Sequence, residues 1–124
     1  MGLRTHRDLD VWQKGMDLVV AVYELTKSFP AEEKYGLTGQ IQRAAVSIPA
    51  NIAEGYGRIH RGDYLHHLSI ARGSLAEVET HLVIAHRLDF TTPDQTRVAW
   101  NLAQDVGKML TKLVPRKNLC KEKM

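Results

Sequence analysis

Cysteine occurs once in this chain of 124 residues, at Cys120. A lone thiol can form no internal disulfide and cannot build a cysteine-based zinc site, and a reducing cytoplasm is the expected setting. Aromatic side chains are scarce at 6% of residues, so a core must be assembled mainly from Leu, Val, Ile, Ala and Met, which suits helix-on-helix packing better than a sheet sandwich. Long apolar runs are missing too. No window approaches the ~18 to 20 continuous apolar residues of a membrane span, and the opening MGLRTHRDLD has no signal-peptide core, so no membrane partner is expected.

Recognisable catalytic patterns are also lacking. Carboxylate-bridged metal sites in helix bundles need Glu-x-x-His pairs on one inner face, and the sequence has none. The stretch GYGRIHRG has too few placed glycines and no preceding strand for a phosphate loop. Ser47 and Ser74 have no evident histidine and acid to orient them as nucleophiles. The group His60, Asp63, His66 and His67 has metal-ligating side chains, but adjacent His66 and His67 point to different helix faces. The chain therefore reads as a non-enzyme that needs no cofactor.

What is present is helical periodicity. Hydrophobic residues make up 44% and charged residues 25%, the range of one soluble domain. Leu9, Trp12, Met16, Val19, Val20 and Tyr23 recur at three and four as the inward face of a first helix, which Phe29 and Pro30 end. Leu37, Ile41, Ala45, Ile48 and Ile52 mark a second, closed by Gly55 and Gly57. Leu65, Leu68, Leu75, Val78, Leu82 and Ala85 mark a third. In the fourth, Thr92 is placed to cap, Pro93 to open the helix and Gln95 to complete a capping box. Val98, Leu102, Val106, Met109 and Leu113 supply its stripe, and Pro115 stops it. The expected helices cover about 8–28, 37–57, 61–89 and 93–114, followed by a loosely held basic tail, 115–124. Short connections between four amphipathic helices predict a single all-α domain, an antiparallel up-down-up-down four-helix bundle.

One stretch, SIPANIAEGYGR at 47–58, does not fit an ordinary helix. Pro49 removes a hydrogen bond to the Ala45 carbonyl and is expected to bend the helix, at ~3 kcal/mol in an ordinary interior. Beside the apolar stripe, Gln40, Arg43, Ser47, Asn51, Glu54 and Arg58 share a second face at ~100° per residue. Two readings compete: a solvated outer side, or a polar seam between helices. An antiparallel third helix would set Ser47 near Gly73 and Ser74, with Gly73 permitting close contact, and Glu77 or Glu79 within reach of Arg43. Glu54 and Arg58, one turn apart, read as an ion pair.

The runs YGLTGQIQRAAVSIPANIAEGYGR and LSIARGSLAEVETHL, with DLDVWQKGMDLVVAVYELTKSFP before them, resemble the four-helix bundle family encoded by intervening sequences of bacterial 23S rRNA genes, also called S23. The resemblance covers nearly the whole chain apart from the tail. Gly15, Gly39 and Gly62 depart from it, standing where such sequences more usually have Ala or a small polar residue. The resemblance implies a bacterial homo-oligomer, with a homopentamer favoured. It also implies kinship with the accessory protein of diversity-generating retroelements, and through it a partner in RNA or a reverse-transcriptase-like enzyme. On the family motif, Arg43, Ser47, Asn51, Glu54 and Arg58 form a structural or interface seam.

Charge adds a direction. The net charge of +3 is modest, but the expected topology gathers Arg4, Arg7, Arg58, Arg61, Lys112, Arg116, Lys117, Lys121 and Lys123 at one end against Asp8, Asp10, Asp63 and Glu122. The opposite end is mildly acidic. A ring of parallel subunits would multiply this basic pole into an RNA-binding surface, with Tyr56, Tyr64, His60, His66 and His67 near enough to stack on bases. The plainer account is that basic residues in a last helical turn satisfy the helix dipole. The expected function is an RNA-associated accessory or scaffold; the alternative is a structural or protein-interaction module without specific RNA binding.

Overall fold

In a computed structural model that describes residues 5–113, the fold consists of four helices: α1 (Asp10–Thr26), α2 (Leu37–Tyr56), α3 (Arg61–Arg87) and α4 (Pro93–Leu113). There is no strand among the described residues. Single 3₁₀ turns, His6–Asp8 and Ala31–Glu33, precede α1 and α2. Each helix packs on two others: α1 on α2 and α4, and α3 on α2 and α4.

The ends are fixed by local chemistry. Thr5 and Asp8 close a reciprocal capping box around the first turn. The Glu33 carboxylate accepts from the Leu37 N–H at 3.0 Å and so caps α2. Thr92 Oγ1 accepts from the Gln95 N–H at 3.2 Å and caps α4. The expected capping box there is only half made, because the Gln95 side chain accepts from the Thr91 hydroxyl instead. At the end of α3, Asp89 takes a left-handed φ of 57°. This conformation turns the chain so that the Phe90 N–H reaches the Ala85 carbonyl at 2.9 Å, a helix stop that Gly or a short polar residue supports. Phe90 then lies 5.7 Å from the Phe29 ring, and its carbonyl accepts from the Ser28 hydroxyl at 2.7 Å, tying the end of α1 to the start of α4.

The core differs from the expected one in phase on two helices. On α1 the buried stripe is Val11, Gly15, Leu18, Val22 and Leu25. Met16, Val20 and Tyr23 from the expected stripe stay exposed, Val20 at 60%. On α4 the buried residues are Ala99, Ala103, Val106 and Leu110, and Val98 is outside. Gly15 on α1 and Ala99 and Ala103 on α4 are the small residues that face inward, where α2 and α3 supply Ile41, Ile48, Ile52, Leu68, Leu75 and Leu82. Large against small fills the interior at native density, whichever stripe carries more hydrophobic area.

Pro49 lies inside an uninterrupted α2 and is buried. Its ring packs on Gly15 of α1, where an added methyl would sit 3.6 Å from Pro49 Cβ. This buried contact offsets part of the cost of the lost backbone hydrogen bond.

Candidate functional site

The second face of α2 is neither wholly solvated nor wholly buried. Its middle forms a hydrogen-bonded chain to α3, and its two ends reach water. The Asn51 amide nitrogen donates to the Ser47 carbonyl at 2.9 Å and the Ser47 hydroxyl at 3.0 Å. That leaves Asn51 Oδ1 as acceptor, so His67 Nδ1, 3.0 Å away, carries the proton. Ser74 Oγ donates to Ser47 Oγ at 2.8 Å. The Ser47 hydroxyl thus accepts from both helices. Ser74 is buried, while Ser47, Asn51 and His67 are half-buried, so each polar group finds its partner where water is scarce.

Close approach of α2 to α3 makes this chain possible at its lower end. A methyl on Gly55 would come within 3.1 Å of His67 Cβ and 3.3 Å of the Tyr64 carbonyl. Gly73, assigned to this contact on sequence grounds, lies outside it: nothing stands within 4 Å of where its Cβ would be. Ser74, one residue on, makes the contact.

At the upper end, Arg43 is exposed. Arg43 and Glu77 line one shallow groove with Gln40, Ser47 and Ser74, but no ion pair joins them among the described residues. Glu79 accepts from Gln104 of α4 at 2.7 Å and does not pair with Arg43. At the lower end, Arg58 binds Glu54 at 2.8 Å. Both partners are about half-exposed, so the pair contributes ~0.3 to 0.5 kcal/mol.

The basic residues divide similarly. Arg7 is exposed in the first 3₁₀ turn, which packs against α2, and its carbonyl accepts from Gln13 at 2.9 Å. Arg58 and Arg61 flank the α2 to α3 connection, and Lys112 lies exposed in the last turn of α4. Arg4, Arg116, Lys117, Lys121 and Lys123 lie outside the described residues, as does the expected tail. Of the rings proposed to stack on bases, His60 and His66 are exposed. Tyr64 is packed against the core, and His67 is committed to the seam. The His60, Asp63, His66 and His67 group does not converge, and no set of three His, Cys, Asp or Glu side chains is arranged to hold a metal among the described residues.

His67 is the seam member that sequence reasoning did not place. The signal was available, since His67 and Ser74 are two helical turns apart on one face of α3.

A family model described as 23S rRNA-intervening sequence protein matches residues 7–112. A crystal structure from Bacteroides thetaiotaomicron, described as a protein with unknown function from the S23 ribosomal protein family, superposes with a TM-score of 0.78 at 28% identity. The superposition covers 86% of this chain and 99% of that one. No curated protein matches the chain in sequence.

Proposed function

The chain belongs to the 23S rRNA-intervening sequence protein family, and from that premise we propose that it is a non-enzymatic, homo-oligomeric RNA-associated accessory or scaffold protein. The observation that carries the reading is the set of exposed cations Arg7, Arg61 and Lys112, with Arg58 beside them in sequence, at the entry to α1, the α2 to α3 connection and the end of α4. None of Arg7, Arg61 and Lys112 is ion-paired among the described residues. Arg4, Arg116, Lys117, Lys121 and Lys123 add to the same two chain termini.

The reading includes an antiparallel up-down-up-down course, which collects those positions at one end. Supporting it, partner numbers rise on one helix as they fall on the next. Gly15 meets Pro49 while Thr26 meets Gln42; Ser47 meets Ser74 while Asn51 meets His67. Leu75 meets Gly107 while Glu79 meets Gln104, and Lys14 meets Asp105 while Ser28 meets Phe90. Oligomerisation with parallel axes, a homopentamer on the resemblance, would repeat the basic end around a ring and raise the local potential that RNA phosphates meet. Kinship with the retroelement accessory protein extends the reading to a cytoplasmic complex with a reverse-transcriptase-like partner.

The test is RNA binding across a salt series, with 23S rRNA fragments against unrelated RNA. Replacing Arg58, Arg61, Arg116 and Lys117 together removes four phosphate contacts. At ~0.7 per contact for single strands, the slope of log K on log salt should shrink by about 3. An unchanged slope sinks the basic-end reading. The alternative, a protein-interaction module, is favoured by one observation: an apolar groove of about 360 Å³ between α3 and α4, lined by Leu82, Val83, Pro93 and Trp100. It predicts no salt-dependent RNA binding at all.

A further inference from the structure

Helix α1 is apolar around more of its girth than the bundle uses. Beside its buried stripe runs a second, Trp12, Met16, Val19 and Tyr23, spaced four, three and four, with Val20 alongside; Trp12 and Val19 are half-buried against the core, and the rest stand outside it. Met16, Val20 and Tyr23 are 38, 60 and 44% exposed. A 3.5-residue period is the spacing of a seam that packs on another helix, and a helix apolar on two faces is expected to be covered on both. Across the groove, the outer face of α2 carries Val46, Ala50, Ala53 and Gly57, which are small apart from Val46 and let another backbone approach, while Gly39 at its upper end lies under the Arg43 guanidinium and the Lys34 carbonyl. The groove between them holds about 680 Å³ and is lined by Tyr23, Tyr35, Gly39, Arg43 and Val46 among others.

We propose that a second copy of this chain covers this seam, the large side chains of α1 in one copy seated on the small-residue face of α2 in the other, with the long axes of the two copies parallel. The inference rests on the oligomeric reading above and names its contact surface. Rotation about an axis parallel to the helices keeps every residue at its own level. Those levels are fixed within one chain: Gly15 lies against Pro49, and Tyr23 shares its groove with Gly39, Arg43 and Val46. At matching levels Tyr23 therefore meets the stretch from Gly39 to Val46, and Met16 meets Ala50, large on small.

Charge agrees with size. On α1, Asp17 and Glu24 flank the stripe on the side away from α2, about a third of a turn beyond Tyr23. Arg43 borders the small-residue face on the far side of α2. Parallel docking brings Glu24 of one copy to Arg43 of the other. Arg43 has no ion pair in its own chain among the described residues. Glu24 holds only Lys27, and with those side chains 62 and 71% exposed that bond is easily exchanged. The acidic border of the stripe also disfavours RNA or an anionic lipid surface as its cover.

Sedimentation of the full chain tests this. Ala50 points outward and is exposed, so Ala50→Trp should fill the groove without entering the core, and Met16→Glu should place a charge within the stripe. Both are expected to bring an oligomeric wild type down to protomer mass with helical circular dichroism unchanged. Arg43→Glu alone should weaken association at least tenfold, and Glu24→Arg with Arg43→Glu should restore it. A wild-type oligomer that neither Ala50→Trp nor Met16→Glu dissociates overturns the surface while leaving the oligomeric reading intact. A charge exchange that fails to restore association overturns the parallel arrangement. A monomeric wild type overturns both readings, whatever its RNA binding.

Discussion

Asn51→Ala should destabilise the fold by about 2 kcal/mol, through the seam and not through the apolar core. The substitution deletes two donations to Ser47, at 2.9 and 3.0 Å, and the acceptor of His67 at 3.0 Å. A net ~0.5 to 1.5 kcal/mol for each would give ~1.5 to 4.5 kcal/mol. The low half of that range applies, because Asn51, Ser47 and His67 are half-buried and water reaches part of the gap. Better helix propensity of Ala over Asn returns ~0.6 kcal/mol. Urea unfolding at fixed protomer concentration reads the difference. With a slope of ~2 kcal/mol per molar, the midpoint should fall by ~1 M at unchanged slope. The sharper assay is the double-mutant cycle with His67→Ala, since two residues in one hydrogen-bonded chain should couple by ~0.5 kcal/mol or more. A loss under ~0.5 kcal/mol, or strict additivity in the cycle, refutes a structural role for the seam.

Glycine substitutions should split in sign. Gly73→Ala, in open space on α3, should raise stability by ~0.5 to 1 kcal/mol, seen as a higher urea midpoint. Gly55→Ala meets a backbone carbonyl and a Cβ that cannot swing aside; overpacking of ~1 to 3 kcal/mol should outweigh the helix gain and lower the midpoint. Equal effects at the two sites would contradict the close α2 to α3 approach. Thr92→Ala removes the only side-chain cap on α4 that accepts from a backbone N–H among the described residues, and thermal unfolding should show a loss of ~1 kcal/mol.

Where sequence and structure part, the reasons are physical and local. On α2 and α3 each apolar stripe has polar or charged neighbours, Gln40 and Arg43 on one helix and Arg72 and Glu77 on the other, so only one rotation is affordable and the buried faces were legible. Ser47 and Asn51 could likewise be placed on one face by their spacing. Whether that face met water or a partner was not legible, because the answer lies in Ser74 and His67 some distance along the chain. The absent Arg43 to Glu77 pair shows the converse. Opposite charges at matching levels are not obliged to meet when both are exposed and hydrated.

Helix α1 carries the most informative discrepancy. Reading by side-chain hydrophobicity alone selects Trp12, Met16, Val20 and Tyr23, the larger surface, and rejects the stripe containing Gly15. The bundle makes the opposite choice: the inward side of α1 packs on Pro49 and Ile48 of α2 with a small residue at 15, where an added methyl would stand in ordinary contact with both at 3.6 to 3.7 Å. The inward stripe is itself apolar through Val11, Leu18, Val22 and Leu25, so hydrophobicity alone does not choose between the two faces. The misassigned stripe and the proposed contact between copies therefore have one cause. A helix with apolar residues on two faces can turn only one of them inward, and with Val11, Leu18, Val22 and Leu25 inward the other is left for a second chain.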